Sequence, residues 1–298
     1  MKELREHPTK KKAGKVTPNG HRMGWIKDPK SVVKNLMTPQ SPKVKAFFDH
    51  IKSLPLADEV DLREYASPIE DQGALGSCTA NAAMGCVELS ENKEYGEYKD
   101  GSRLFLYYNT RHLIENTSGD VGATVTDTFT ALTDYGVCTE QLYPYDISQF
   151  DDEPPEECYT EALNYQTLEQ VAISSLQEIK EVLNAGYPIE LGFFVFDSFE
   201  YDIGSDGIMP IPDMDKESLL GGHAIEICGY KQINNVEYLI CRNSWGESFG
   251  DLGYFYLPVE YLDMKYDYYG YEYDCVSDYR VLIKQEYMSE GNDEESGF

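Results

Sequence analysis

The sequence predicts an α+β protein in which a helical half precedes a half rich in β-strands, with a cleft between them. Apolar residues recur at helical spacing up to about residue 135, and beyond it most apolar runs are typical of strands. With 298 residues, 41% of them hydrophobic, the chain can form one large domain or two smaller ones. It has no internal repeat and no apolar run long enough to span a membrane.

Three helices are expected in the first half and one more in the second. Ser102 is a candidate N-cap, and Gly136 and Gly186 are candidate C-terminal caps. The predicted helices cover residues 77–92, 102–114, 124–135 and 175–185.

Five runs rich in β-branched and aromatic residues are predicted to be strands. Asn234 and Asn235 favour a hairpin turn between two of them, and the acidic, proline-interrupted residues 150–157 favour a loop. The predicted strands cover residues 188–196, 223–230, 237–245, 253–258 and 278–285.

Charge is divided unevenly along the chain. The whole chain carries −28, but residues 1–55 carry +9, so the remainder carries −37. A basic arm before an acidic body favours the body itself as the arm's partner, while a nucleic-acid-binding or disordered tail stays an alternative. The acidic body argues against nucleic acid as substrate. We expect an extended arm with a short helix and an apolar group at Met23, Trp25 and Ile26.

Seven cysteines occur without CxxC spacing, which argues against a zinc site, and no pattern indicates a metal or cofactor. Apart from Cys78, six cysteines are left. They are either reduced and buried or joined in up to three disulfides. The N-terminus has no apolar segment typical of a secretory signal.

Cys78 stands out because it begins a helix of small residues, with Gln72 six positions upstream. The positive end of a helix macrodipole and its unpaired N–H groups favour a thiolate. Cys78 is therefore a candidate nucleophile.

A cysteine nucleophile needs a base, and His223 is the best candidate among five histidines. Three others lie in the basic arm and His112 lies within a predicted helix. His223 follows two glycines at the start of a strand, although a structural histidine would also suit that place. Asn243 in the next strand of the hairpin would accept from the His223 ring, and Trp245 would shield that bond from water.

These residues belong to separate motifs in the order typical of the papain-like cysteine peptidases, the cathepsin family. The chain resembles that family over most of residues 58–285. The motifs are VDLRE, DQGALGSC, GYPIELGF, GGHAIEICGY and NSWGESFGDLGYFYL. The resemblance implies a papain-like fold, with a helical subdomain (58–160) packed against a β-barrel-like subdomain (161–285) and the active-site cleft between them. An acidic tail (286–298) would follow.

By the same resemblance, Cys78 is the nucleophile, His223 the general acid/base, and Asn243 the residue that orients His223. Gln72 and the Cys78 backbone N–H would form the oxyanion hole. The implied activity is an endopeptidase acting on polypeptides. The implied substrate-binding residues are Gly122, Trp245, Ser277 and Asp278.

The sequence departs from the family at two positions beside the nucleophile. Leu75 replaces a cysteine that usually forms a disulfide, and Thr79 replaces an aromatic residue. The chain is more similar to microbial or viral members, for which a cytoplasmic or virion-associated location is open. Two other interpretations stay open: a catalytically silent papain-like binding protein, and a Cys-His acyltransferase or transglutaminase.

Family members are commonly made with an inhibitory segment, and residues 1–57 occupy its place. GWIKDP, residues 24–29, is similar to a prosegment element of microbial members. We expect this arm to cover the cleft in cis in a monomer, with no nucleic-acid or membrane partner. Acid and salt should weaken its attraction to the acidic body.

Overall fold

A computed structural model describes Gly14 and residues 16–28, 42–163, 168–268 and 271–284. The predicted acidic tail, 286–298, lies outside the described residues, as do parts of the basic arm. Within the described residues, a mainly helical half precedes a half built around one large antiparallel sheet. This order matches the one predicted from the sequence.

Seven α-helices of the described chain are numbered here in order. Ser102 caps the helix Arg103–Asn109 by accepting from the Phe105 N–H at 3.1 Å. Gly136, with φ of 71°, follows the helix Val125–Tyr135, and Gly186, with φ of 90°, follows Ala185 at the end of the helix Leu176–Asn184, so all three predicted caps are confirmed. A π-helical turn, Thr110–Ile114, directly continues α3. The helices are α1 Pro42–Ser53, α2 Cys78–Tyr95, α3 Arg103–Asn109, α4 Val125–Tyr135, α5 Glu156–Ala162, α6 Leu176–Asn184 and α7 Asp197–Tyr201.

Nine strands are described, seven of them in the large sheet. Its order is β2-β9-β3-β4-β5-β6, with β1 paired to β4, and β7 and β8 form a separate hairpin. The strands are β1 Val60–Asp61, β2 Leu168–Ala172, β3 Ile189–Phe196, β4 Leu219–Ile233, β5 Val236–Arg242, β6 Tyr254–Pro258, β7 Lys265–Tyr268, β8 Tyr271–Asp274 and β9 Val276–Lys284.

The large sheet is not closed into a barrel, so the barrel-like half expected from the resemblance is wrong in that respect. Among the described strands, β2 and β6 stand at opposite edges. The predicted hairpin turn is confirmed, since Asn234 and Asn235 have φ of 50° and 65° between β4 and β5. The predictions missed β2, α5, α7 and the β7–β8 hairpin, whose sequences are short and polar or rich in tyrosine.

A buried ion pair of the sheet is linked through Ser67 to the helical half, behind the site. Arg242 on β5 lies 3.3 Å from the Glu226 carboxylate on β4 and donates to Ser67 Oγ at 3.0 Å. Ser67 in turn donates to Glu88 on α2. Because these groups lie out of water, removing one partner would leave a buried charge unpaired, and that constraint fixes how α2 sits on the sheet.

Helix α1 belongs to the main core although it lies in the basic arm. Its residues Val44, Phe47, Phe48 and Ile51 are buried with side chains of the sheet, and Phe47 stacks edge-on against Tyr187 at 5.3 Å. All seven cysteines lie in the described part of the chain as free, buried thiols.

Within the part of the chain that the structure describes, none of the helices has the length and apolar character that crossing a bilayer requires.

Replacing Phe47 by Ala should lower the free energy of unfolding by about 3–5 kcal/mol, because it removes a buried ring and leaves a cavity. Urea unfolding of the Cys78→Ala chain measures this. Lys45→Ala, on an exposed face of α1, serves as the control and should change stability by less than about 0.5 kcal/mol. Equal effects of the two changes would show that α1 is not part of the folded body.

Candidate active site

Cys78 is the first residue of α2, where the sequence placed it. It is fully buried, and the backbone N–H groups of Ala224 and Gly24 face its sulfur. Ala224 follows His223 on β4, so the packing of α2 on the sheet brings the thiol to the strand that carries the imidazole. The helix and the sheet therefore supply the two groups from opposite halves.

The His223 ring is held by Asn243 just after β5. The two side chains lie 2.8 Å apart, His223 Nε2 to Asn243 Oδ1, so Nε2–H donates and Nδ1 is left as the basic nitrogen. Nδ1 makes no hydrogen bond within the described residues. The Trp245 indole lies 5.0 Å from the His223 ring, and all three side chains are buried. The predicted shielding by Trp245 agrees with this geometry.

Gln72 is fixed from both ends of its amide. Its Oε1 accepts from Ser244 Oγ at 2.7 Å, and its Nε2 donates to the Leu75 carbonyl at 2.8 Å and to the Arg22 carbonyl at 2.9 Å. The first two contacts aim the amide N–H group into the cleft. The third contact comes from the basic arm.

Residues 16–28 form the cleft segment, which lies across the catalytic centre. It begins with a turn closed by the pairing of Val16 with Arg22, and then runs in parallel pairing beside Ala123. Gly24 accepts from the Ala123 N–H at 2.9 Å, and Ile26 donates to the Ala123 carbonyl at 2.9 Å. The segment therefore binds the cleft through its backbone, as an extended peptide would.

Gly24 fits between two other backbones at the centre of this contact. A Cβ on Gly24 would lie 1.9 Å from the Gly76 carbonyl oxygen, and a Cβ on Gly122 would lie 2.1 Å from the Gly24 carbonyl oxygen. Gly122 also has φ of 76°, which favours glycine. The structure thus places Gly122 against a bound peptide backbone, although Ala123 makes the hydrogen bonds.

Trp25 fills a pocket beside the centre. Its indole N–H donates to Asp278 Oδ2 at 3.1 Å, and its ring packs edge-on against Phe194 at 5.5 Å. Of the implied substrate-binding residues Ser277 and Asp278, Asp278 contacts the indole. Ser277 is buried opposite Gly192, and its hydroxyl makes no hydrogen bond within the described residues.

Three basic side chains of the cleft segment face carboxylates of the body. His21 lies 3.1 Å from Asp71, Arg22 lies 3.1 Å from Asp120, and Lys27 lies 4.0 Å from Asp274. The His21 ring also stacks on Trp245, with ring centroids 4.9 Å apart and planes 9° apart. The basic arm and acidic body therefore meet through specific pairs.

Burial under the segment changes the acid–base state of the centre. It raises the pKa of the Cys78 thiol to about 12, although the N–H groups of Ala224 and Gly24 act the other way. Burial also lowers the pKa of His223 to about 4. The hydrogen bond with Asn243 raises this pKa, and the electrostatic effect of His21 lowers it further. Both groups are neutral at pH 7 while covered, so the thiolate expected from the helix position is suppressed by loss of solvent.

The two departures beside Cys78 are accommodated by packing. Leu75 is buried in the core of the helical half, and Thr79 receives a hydrogen bond from Thr128 Oγ1 on α4 at 2.9 Å. The Tyr145 hydroxyl donates to the Gln72 carbonyl at 3.0 Å. These contacts hold the loop where the family uses a disulfide.

A buried thiol, an imidazole fixed by an amide, and a side-chain amide aimed at a peptide carbonyl define the class of cysteine-nucleophile hydrolases. In the described part of the chain, no cluster of three or more His, Cys, Asp or Glu residues is arranged to hold a metal ion. The family model for papain family cysteine proteases matches residues 56–267. The chain belongs to this family and is a cysteine peptidase.

Its relatives agree with that assignment. A peptidase C1-like protein of Acanthamoeba polyphaga mimivirus is 34% identical over 80% of this chain and 82% of its own length. The thiol protease aleurain of Arabidopsis thaliana is 28% identical over 68% of this chain, which spans 56% of that protein. Xylellain, a cysteine protease from Xylella fastidiosa, has a TM-score of 0.71 at 28% identity, covering 91% of this chain and 97% of its own.

Digestive procathepsin L 3 of Tenebrio molitor supports the fold alone. It has 20% identity and a TM-score of 0.62, and the match covers 84% of this chain and 74% of that one. The papain-like fold expected from the motifs is thereby confirmed.

Several site residues were missed because they act without a recognisable side chain. Ala123 binds through its backbone, and Gly76 and Gly192 matter through the space they leave. Ser244 directly follows Asn243 in the sequence. That position was the signal that could have identified Ser244 as a site residue in contact with Gln72.

Alkylation of Cys78 by iodoacetamide should keep rising with pH beyond about pH 9 in the full chain, since burial keeps the thiol protonated where a free cysteine has ionised. Peptide-level mass spectrometry follows Cys78 apart from the other six cysteines. After limited proteolysis of the cleft segment, the profile should move to lower pH. A plateau below about pH 9 in the intact chain would contradict the buried, neutral thiol.

Proposed function

We propose that the protein is a cysteine endopeptidase made as a zymogen, in which Cys78, His223 and Asn243 act as the catalytic triad. The observation that carries the proposal is the hydrogen bond from Gln72 to the Arg22 carbonyl. A substrate carbonyl would need the side-chain N–H of Gln72 as its donor. In this structure a peptide carbonyl of the chain itself accepts from that N–H. The position is the one that a peptide hydrolase keeps for its substrate.

The proposed reaction begins when solvent reaches the centre and the thiol proton passes to Nδ1 of His223. The Cys78 sulfur attacks the carbonyl carbon, a C–S bond forms, and the carbonyl electron pair moves to oxygen. The imidazolium then protonates the amide nitrogen, the C–N bond breaks, and the amine leaves. Water, deprotonated by His223, next cleaves the thioester and regenerates the thiol with release of the carboxylic acid.

Gln72 would stabilise the oxygen as it gains negative charge. Ser244 and the Leu75 carbonyl hold the Gln72 amide before substrate arrives, so little reorganisation is needed during reaction. The backbone N–H of Cys78, at the start of α2, is the second proposed donor. We assign Ser244 a positioning role that acts through Gln72.

The cleft segment occupies the centre. The N–H of Gly24 faces the Cys78 sulfur, and the Arg22 carbonyl is held at the Gln72 side chain. The segment also keeps both catalytic groups neutral by excluding water. These two effects together support inhibition in cis by residues 16–28.

Helix α1 does not take part in this blockade. It packs in the main core, and residues 55–57 are tied to the body, since Asn184 Oδ1 accepts from the Ala57 N–H and Tyr230 donates to the Ala57 carbonyl. Within the predicted prosegment 1–57, we therefore assign the inhibitory contacts to the cleft segment. We propose that the protein acts on polypeptides as a monomer.

The decisive experiment is labelling with a tagged epoxysuccinyl inhibitor of thiol peptidases. The full chain should be labelled at Cys78 only slowly in neutral, low-salt buffer. Labelling and cleavage of internally quenched peptides should both rise with salt, which screens the ion pairs, and with acid, which protonates their carboxylates.

Cys78→Ala removes the nucleophile and is the control. If peptide cleavage persists in that variant, the assignment of Cys78 is wrong. A chain that is labelled but cleaves no peptide would indicate the silent or acyl-transferring alternative. If neither labelling nor peptide cleavage changes with salt or pH, the ion pairs do not hold the cleft segment on the body.

Gly24→Ala should raise the peptidase activity of the full chain by at least about tenfold. The new methyl group has no room beside the Gly76 backbone, so the cleft segment must move away from the catalytic centre. Val16→Ala is the matched control, since Val16 lies in the same segment but is exposed. Initial rates on a quenched peptide, compared with epoxysuccinyl labelling, give the readout. Equal activity in both variants would mean that the Gly24 contact does not hold the segment.

A further inference from the structure

The Trp25 pocket is built to the size of an indole. A Cβ on Gly192 of β3 would lie 2.1 Å from the Trp25 ring atoms Cε2 and Nε1, and a Cβ on Gly222 of β4 would lie 2.6 Å from Cε3. Any other residue at either position would occupy the space of the ring. Two glycines on neighbouring strands thus open a flat slot next to His223.

The remaining walls suit an aromatic ring with one polar edge. Phe194 offers an edge-on contact at 61° to the indole, a preferred geometry for aromatic pairs. Asp278 Oδ2 accepts from the Trp25 indole N–H at 3.1 Å and from the Asp28 backbone N–H at 3.1 Å, and a buried carboxylate is a strong acceptor. The slot therefore suits a large flat ring that carries an N–H donor on its edge.

Charge around Asp278 disfavours a cationic occupant. The buried Arg280 guanidinium lies in the field of Asp278, so the carboxylate already has a positive neighbour on the same strand. Glu190 lies opposite Arg280 in the sheet, and full burial raises its pKa well above the usual range. A lysine or arginine in the slot would be a second cation beside Asp278, next to Arg280.

We propose that, once the cleft segment leaves, this slot selects a tryptophan of the substrate, then other large aromatic residues, with Gly192 setting the size and Asp278 the preference for an N–H donor. The inference rests on the proposed peptidase function and names its substrate class. In the cleft segment, the carbonyl that Gln72 binds belongs to Arg22, and the side chain that fills the slot belongs to Trp25. The selected residue should therefore lie within about three positions of the cleaved bond.

A comparison of two full-length variants tests the proposal. Gly24→Ala and Gly192→Ala should both displace the cleft segment, the first at the backbone and the second at the indole, but only Gly192→Ala narrows the slot. One portion of each is labelled with the epoxysuccinyl reagent, and a separate, unlabelled portion is incubated with a peptide library that presents all residues equally. Mass spectrometry of the products gives the preference at each position.

In the Gly24→Ala chain, tryptophan at one fixed position should be favoured at least about tenfold over leucine and arginine. In the Gly192→Ala chain, that preference should fall at least about tenfold and valine or leucine should take its place, while labelling persists. Adding Asp278→Asn to the Gly24→Ala chain should lower the ratio of tryptophan to phenylalanine about fivefold, because a charge-assisted hydrogen bond becomes a neutral one. Asn tolerates the φ of 62° at this position.

A preference for arginine or lysine in the Gly24→Ala chain would overturn the proposal, since Asp278 would then act as a partner for cations. Survival of the aromatic preference in Gly192→Ala would also overturn it, since the slot would not set the size. If both variants are labelled and folded but show no preference, the slot is not a selecting site. If neither is labelled nor cleaves peptide, the peptidase proposal itself fails and the inference falls with it.

Discussion

The close contact of three backbones at Gly76, Gly24 and Gly122 is the constraint on which the covered state depends. Because no side chain separates them, Gly24 lies against the wall of the cleft and its N–H reaches the Cys78 sulfur. The same close fit places the Arg22 carbonyl within hydrogen-bond distance of the Gln72 side chain and the Trp25 ring in its slot. A shift of the segment by even one methyl group would disturb all three contacts together, so the blockade is expected to be cooperative.

In the proposed zymogen, docking of the segment would make the centre unreactive as well as covered. A thiolate–imidazolium pair needs solvent or a polar substrate around it. Burial outweighs the Asn243 hydrogen bond at His223 and the Ala224 and Gly24 N–H groups at Cys78. The helix dipole at Cys78 favours the thiolate in the open site, but it does not overcome dehydration in the closed one. Opening the cleft would therefore restore accessibility and ionisation in one step.

Much of this arrangement could be predicted from the sequence, and the reasons for the misses are physical. Cys78 and His223 were found because a helix start and a glycine-flanked strand start leave readable patterns. Ala123 and Gly192 leave none, since one acts through backbone groups and the other through an absent side chain. The barrel-like closure came from the family resemblance and not from the residues. Closure depends on which strands meet at the edges of the sheet, and among the described strands β2 and β6 remain at opposite edges.

An inhibitory segment that uses the substrate's own slot gains affinity from the features that give selectivity. In the proposed zymogen, Trp25 supplies the side chain that the slot accepts, while the Arg22 carbonyl occupies the Gln72 amide. A substrate that offers the same aromatic side chain would compete with Trp25 for the slot. Selectivity and latency in this chain would then depend on one pocket, so a Cβ at Gly192, which narrows that pocket, would weaken both together.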